Sequence, residues 1–98
     1  MDSQEILKYL KQLQEKYREI YGIRFIGLFG SYARDEATKQ SDIDILYAID
    51  EGKKLSIFNY FSITRDLEKI FRKRVDLVRS DAIKPKLKKY IDRDIQYV

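Results

Sequence analysis

Apolar residues recur at steps of three and four between residues 3 and 20, where Ile6, Leu10, Leu13, Tyr17 and Ile20 are separated by Lys, Gln, Glu and Arg. That spacing predicts an amphipathic helix. Asp2 and Glu5 are spaced as a capping box at its start, and Gly22 is placed to close it as a C-cap. The period then changes. IRFIGLF, 23–29, is apolar on both faces and aromatic-rich, as a central strand covered on both sides would be. GSYARDEATKQS turns the chain, with one or two helical turns from Ser31. DIDILYAI, 42–49, alternates as a strand does: Asp42, Asp44, Leu46 and Ala48 share one face, and Ile43, Ile45, Tyr47 and Ile49 share the other.

After the polar turn DEGKK, the residues Ile57, Tyr60, Phe61, Thr64, Leu67 and Phe71 follow helical spacing up to the basic run RKR at 72–74. RVDLVRS, 74–80, predicts a third short strand, with Asp76 and Val78 on one face and Val75 and Leu77 on the other. Pro85 fits the first turn of a last helix built on Leu87, Tyr90 and Ile91, and the terminal IQYV suits a short edge strand. The order αβ(α)βαβα contains no repeat, linker or low-complexity tract. It predicts an α/β (α+β) fold over 1–98, a small mixed β-sheet with helices packed against it.

Composition narrows the chemistry. At 98 residues, 44% of them hydrophobic, the chain suffices for one core and is too short for two ordinary domains. There is no Cys and no His, so thiol nucleophiles, disulfides, Cys/His zinc sites and imidazole bases are all excluded. Catalysis must then use carboxylates, hydroxyls, Lys, Arg, backbone amides or a hard metal ion. No apolar run approaches the roughly 20 residues that span a bilayer, and MDSQEILKYL does not read as a signal peptide, so a soluble cytoplasmic protein without a membrane partner is expected. The net charge of +4 comes from late basic clusters, RKR at 72–74 and KPKLKK at 84–89. Such a balance suits a polyanionic ligand, although a solvated helix face gives the same count.

Two carboxylates on one face of an otherwise apolar strand are costly unless a cation or hydrogen bonds offset their repulsion. Asp42 and Asp44 start roughly 7 Å apart along the strand, a span that can clamp Mg²⁺, and a two-ion site needs a further carboxylate, for which Asp76 is the obvious supplier. Upstream, Gly30 lets a phosphate approach the backbone, the Ser31 hydroxyl can donate to it, and a helix start points N–H groups at an anion. Phosphate on one side and metal on the other describes a nucleoside triphosphate. Each part alone has a plainer reading: a Gly-Ser pair is commonly an ordinary turn, and an Asp in a strand is commonly an exposed edge residue.

Taken together, GSYAR followed by SDIDIL after a hydrophobic strand resembles the nucleotidyltransferase superfamily of the DNA polymerase beta type, and more narrowly its minimal nucleotidyltransferases. The residues that carry the likeness are Gly30, Ser31, Ala33, Arg34, Ser41, Asp42, Asp44 and Asp76, over essentially the whole chain. Asp35 departs from the pattern, standing where the family has Gly, and adds negative charge near the phosphate path.

The resemblance implies a polymerase beta palm-like fold and Mg²⁺-dependent transfer of a nucleotide from ATP. Asp42, Asp44 and Asp76 would be catalytic and hold two Mg²⁺ ions, while Gly30, Ser31 and Arg34 would bind the nucleotide. It also implies an antitoxin that adenylylates a tyrosine of a co-encoded HEPN-type ribonuclease toxin in a hetero-oligomer. With no domain of its own to hold an acceptor, the chain would rely on its partner, and Phe58 lies off the main apolar stripe where a partner could touch it. The alternatives are a binding module that neutralises a toxin by contact alone and a transferase acting on a small-molecule hydroxyl. Nucleic-acid binding through 84–93 ranks last, because only Tyr90 interrupts the basic run as a stacking residue.

Overall fold

The computed structural model describes all 98 residues. Helix α1 (Ser3–Tyr21) opens on the expected capping box: the Glu5 amide donates to Asp2 Oδ1 at 2.9 Å, and the Asp2 amide donates to Glu5 Oε1 at 3.3 Å. It closes at Gly22, whose φ of 69° is left-handed and whose amide donates to the Arg18 carbonyl. The other elements are β1 (Ile23–Phe29), the one-turn helix α2 (Gly30–Ala33), β2 (Ile43–Ile49), α3 (Ile57–Phe71), β3 (Val75–Arg79), a 3-10 turn (Ser80–Ala82), α4 (Pro85–Asp94) and β4 (Gln96–Tyr97). Every element expected from the pattern is present, with Pro85 in the first turn of α4.

The sheet runs β3-β2-β1-β4 and is mixed: β1 pairs antiparallel with β2 and with β4, while β2 and β3 are parallel. A register shift between Phe25 and Gly27 decides which side chains reach which face. With Ile26 as the extra residue, Phe25 and Leu28 both turn to the side of Tyr47 and Ile45, and Phe29 comes to lie opposite Asp44. Gln14 of α1 braces this strand, accepting from the Phe25 amide at 2.7 Å and donating to its carbonyl at 2.8 Å where β4 is too short to pair.

One face of the sheet, with α1 and α3 against it, forms a cluster of 17 buried residues that includes Ile6, Leu10, Tyr17, Phe25, Leu28, Ile43, Ile45, Ile63 and Leu67. Three expected apolar stripes shift. On α1, Leu7 is buried and Ile20 is 59% exposed, because a step of four from Tyr17 keeps Tyr21 on the stripe and a step of three carries Ile20 off it. On α3, Ile63 and Ile70 pack inward while Ile57 and Phe61 face out, so the stripe runs through Tyr60, Ile63, Leu67 and Phe71. On α4 only Ile91 is buried. Leu87 and Tyr90 stand at the mouth of a cavity.

Candidate active site

The second face of the sheet carries the polar chemistry. Across it, Phe29 of β1, Asp44 of β2 and Asp76 of β3 are register neighbours, and the next row is Gly27, Leu46 and Val78. Register partners on paired strands point to the same side, so Asp44 and Asp76 are cross-strand neighbours about 4.8 Å apart at the backbone. Asp42 sits one residue before β2 begins and is half-exposed, with Arg74 Nε 3.8 Å from its Oδ1. The expectation of two carboxylates inside a buried strand therefore holds for Asp44 alone. Asp76 is exposed because β3 is the sheet's edge strand, which matches the plainer reading of its burial.

Asp44 is pushed up from 3.8 to about 6, first by burial and then by the Asp76 and Asp42 carboxylates, with Arg34 acting in the opposite sense. Folding raises this group, so the native state holds its proton more tightly and loses stability as pH rises from about 4 through about 6. A dry carboxylate displaced this far would cost ~3 kcal/mol, which screening at the half-buried Asp44 reduces to about 1–2 kcal/mol. Asp44→Asn is thus expected to stabilise the metal-free protein by about that much near pH 7.5, with the gain shrinking toward pH 4. Thermal melts at the two pH values check it; a variant no more stable than wild type at the higher pH contradicts it.

Gly30 opens α2 directly beneath this carboxylate. Its φ is +77°, and a Cβ placed there would overlap the Asp44 carboxylate oxygen, with Asp44 Cγ 3.1 Å away. Only glycine satisfies both the backbone angle and the approach. Ser31 follows at the start of the same turn; since α2 is only four residues long, any anion there is held by individual amides rather than by a helix dipole. Asp35, at the position where the family pattern has Gly, has φ 59°, a left-handed conformation that Asp tolerates.

Arg34 caps α2 and is fixed from a distance in sequence that pattern reading does not reach. Its Nη1 donates to Asp94 Oδ2 at 2.7 Å, and Glu36 lies 3.6 Å from its Nε. That contact holds Asp94 below the ordinary carboxylate range. Gln96 ties the same region together, donating to the Ala33 carbonyl at 2.6 Å. Beside Gly30, Arg34 and Asp76 a cavity of about 380 Å³ opens between the sheet and α4, walled by Phe29, Val78, Ile83, Leu87 and Tyr90. On the other side of Asp42 lies a polar cleft of about 480 Å³ bordered by Lys39, Arg72, Lys73 and Arg74, so the RKR run faces Asp42.

No three carboxylates converge into a ready-made cation cage. The donor set nevertheless suits Mg²⁺, which takes one or two carboxylates and completes its shell with water and substrate phosphate. The repulsion that helps to raise Asp44 is what such a cation offsets.

A glycine packed under a strand carboxylate, with a second carboxylate in register on a parallel neighbour, is the arrangement this face presents. The chain belongs to the family described as Polymerase beta, Nucleotidyltransferase, whose model matches residues 4–97. Among its relatives, a candidate protein adenylyltransferase of Methanocaldococcus jannaschii is 43% identical over 97 residues, covering 94% of this chain and 97% of the relative. The protein adenylyltransferase MntA of Thermococcus cleftensis is 37% identical over 95 residues, covering 97% and 94%. A solved structure described as a candidate minimal nucleotidyltransferase superposes with TM-score 0.77 at 26% identity, over 100% of this chain and 97% of that one. The fold is also shared, with TM-score 0.67 at 21% identity over 97% of this chain and 70% of the other, by an MNT antitoxin in complex with a tri-AMPylated HEPN toxin of Shewanella oneidensis. No helix is long and apolar enough to cross a membrane.

Proposed function

We propose that this nucleotidyltransferase is a protein adenylyltransferase that moves AMP from ATP to a tyrosine of a HEPN-type toxin, in the cytoplasm and as its antitoxin. The observation that carries the reading is the register of Asp44 with Asp76 above Gly30, which sets two carboxylates of paired strands beside the backbone of the Gly-Ser turn. The names of the relatives supply the protein substrate, and the toxin-bound structural neighbour supplies the partner class. The exposed apolar surface of Phe58 (80%), Ile57 and Phe61 at the start of α3 suits a protein contact.

In this reading the Gly30 and Ser31 amides and the Ser31 hydroxyl hold the β- and γ-phosphates, and Arg34, fixed by Asp94, faces the same anion. Asp42, Asp44 and Asp76 would hold Mg²⁺, which neutralises the triphosphate and stabilises the entering and leaving oxygens. Asp76 accepts the acceptor's hydroxyl proton. The hydroxyl oxygen forms its bond to the α-phosphorus as the bond from that phosphorus to the bridging oxygen breaks, and pyrophosphate leaves with the electron pair. The acceptor should therefore gain label from ATP marked at the α-phosphate and none from ATP marked at the γ-phosphate; γ-label on the acceptor would refute nucleotidyl transfer.

Ser31→Ala is expected to lower kcat/KM about tenfold, chiefly through KM for ATP, as loss of one hydrogen bond to a charged group does. Glu36→Ala should change it less than about twofold, because Arg34 keeps the shorter of its two contacts, to Asp94. Equal losses in steady-state assays would mean general loop damage and would remove Ser31 from the site.

A further inference from the structure

The cavity beside Asp76 shares Gly30 and Arg34 with the phosphate site and extends past them along α4. Its volume of about 380 Å³ is at the small end of ligand pockets. Its walls are apolar, and two of them are unpartnered: Leu87 is 54% exposed and Tyr90 is 53% exposed. The α4 side of the rim is cationic. Lys84 lines the opening, Lys86 lies one helical turn before Tyr90, and neither has a carboxylate partner, whereas Lys88 is paired with Asp92. The Arg93 guanidinium packs 5.3 Å from the centre of the Tyr90 ring and is paired with Asp94.

We propose that this cavity seats the acceptor's phenol ring, and that the segment bearing it is acidic, its carboxylates meeting Lys84 and Lys86. The proposal rests on the transferase reading above, since it needs Asp76 to meet a hydroxyl. A ring lying against Val78 and Leu87 brings its hydroxyl toward Asp76 at the cavity's polar end. The wide mouth that Leu87 and Tyr90 leave open admits a ring carried on a protein surface. The unpaired lysines on the α4 side favour a partner of the opposite sign, while the unpaired Asp76 on the β3 side is left to the hydroxyl.

The probe is a fluorescently labelled pentapeptide with a central tyrosine between pairs of glutamates, titrated by anisotropy against the full chain at low salt without nucleotide. It should bind at least ~10-fold tighter than the same peptide with alanine at the centre or with lysines in the flanks. Lys84→Glu combined with Lys86→Glu should weaken it at least ~10-fold, and Leu87→Ser about 5-fold, with the affinity for a fluorescent ATP analogue and the melting temperature unchanged. No preference for the ring or for the acidic flanks overturns the proposal. So does loss of ATP affinity with peptide binding intact, which would give the cavity to the base. Rim-dependent peptide binding without α-label transfer to the peptide or to a HEPN partner leaves the docking site standing and removes the transferase reading. Transfer to a partner that ignores the rim substitutions does the reverse.

Discussion

Replacing Asp44 by Asn is expected to lower nucleotidyl transfer by on the order of 10³-fold while the protein folds as before or better. The side chain keeps its size and loses its charge, and in the proposed mechanism that charge holds the cation and triphosphate at the point where β1, β2 and β3 meet. Asp42→Asn should act in the same direction, and the double variant should bind ATP without Mg²⁺ dependence. The opposite signs of the two effects make the prediction discriminating. A structural aspartate would lose stability along with activity, whereas Asp44, pushed up to about 6 by burial and by two neighbouring carboxylates, should lose activity and gain stability. Single-turnover transfer assays paired with melts of the same preparations read both. A double variant that transfers nucleotide as well as wild type would remove these aspartates from the site.

Gly30→Ala should cost both stability and activity. At φ +77° any side chain adds strain of about 1–2 kcal/mol, and this one must also displace the Asp44 carboxylate. Gly52 supplies the control, since it has φ +79° with nothing within 4 Å of an added Cβ. Gly52→Ala should cost about 1 kcal/mol, and Gly30→Ala about 1–2 kcal/mol more, with transfer reduced at least ~100-fold because Asp44 moves. Truncating Asp44 to Ala in the Gly30→Ala background should recover the extra stability, because the overlapping atoms are gone. Urea denaturation of the four proteins gives the coupling directly. Equal costs at Gly30 and Gly52 would mean that the glycine serves the turn alone.

What the chain's pattern reveals is what short-range physics determines. The capping box of Asp2 and Glu5, the left-handed close at Gly22, the alternation from Ile43 to Ile49 and the proline opening of α4 all depend on neighbours a few residues away, and all were readable. The spacing of Gly30, Ser31, Asp42 and Asp44 marked the candidate site for the same reason. The shift at Ile26 was not readable, because it shows only when β1 is laid against β2, and it decides that Phe29 faces Asp44. Arg34 was readable as a basic residue after Gly-Ser, but its clasp by Asp94 joins positions 60 apart in sequence. Leu87 and Tyr90 have the spacing of core residues and instead line a cavity, a distinction that depends on how far α4 stands from the sheet.

Protein adenylylation is tested most directly by intact-mass and fragment mass spectrometry of a HEPN-type toxin, after incubation with the protein, ATP and Mg²⁺. It predicts adenylate on a partner tyrosine, present with wild type and absent with Asp42→Asn combined with Asp44→Asn, in step with loss of the toxin's ribonuclease activity. A partner that stays unmodified with wild type, yet is fully silenced by the double variant, would contradict it and leave neutralisation by contact alone.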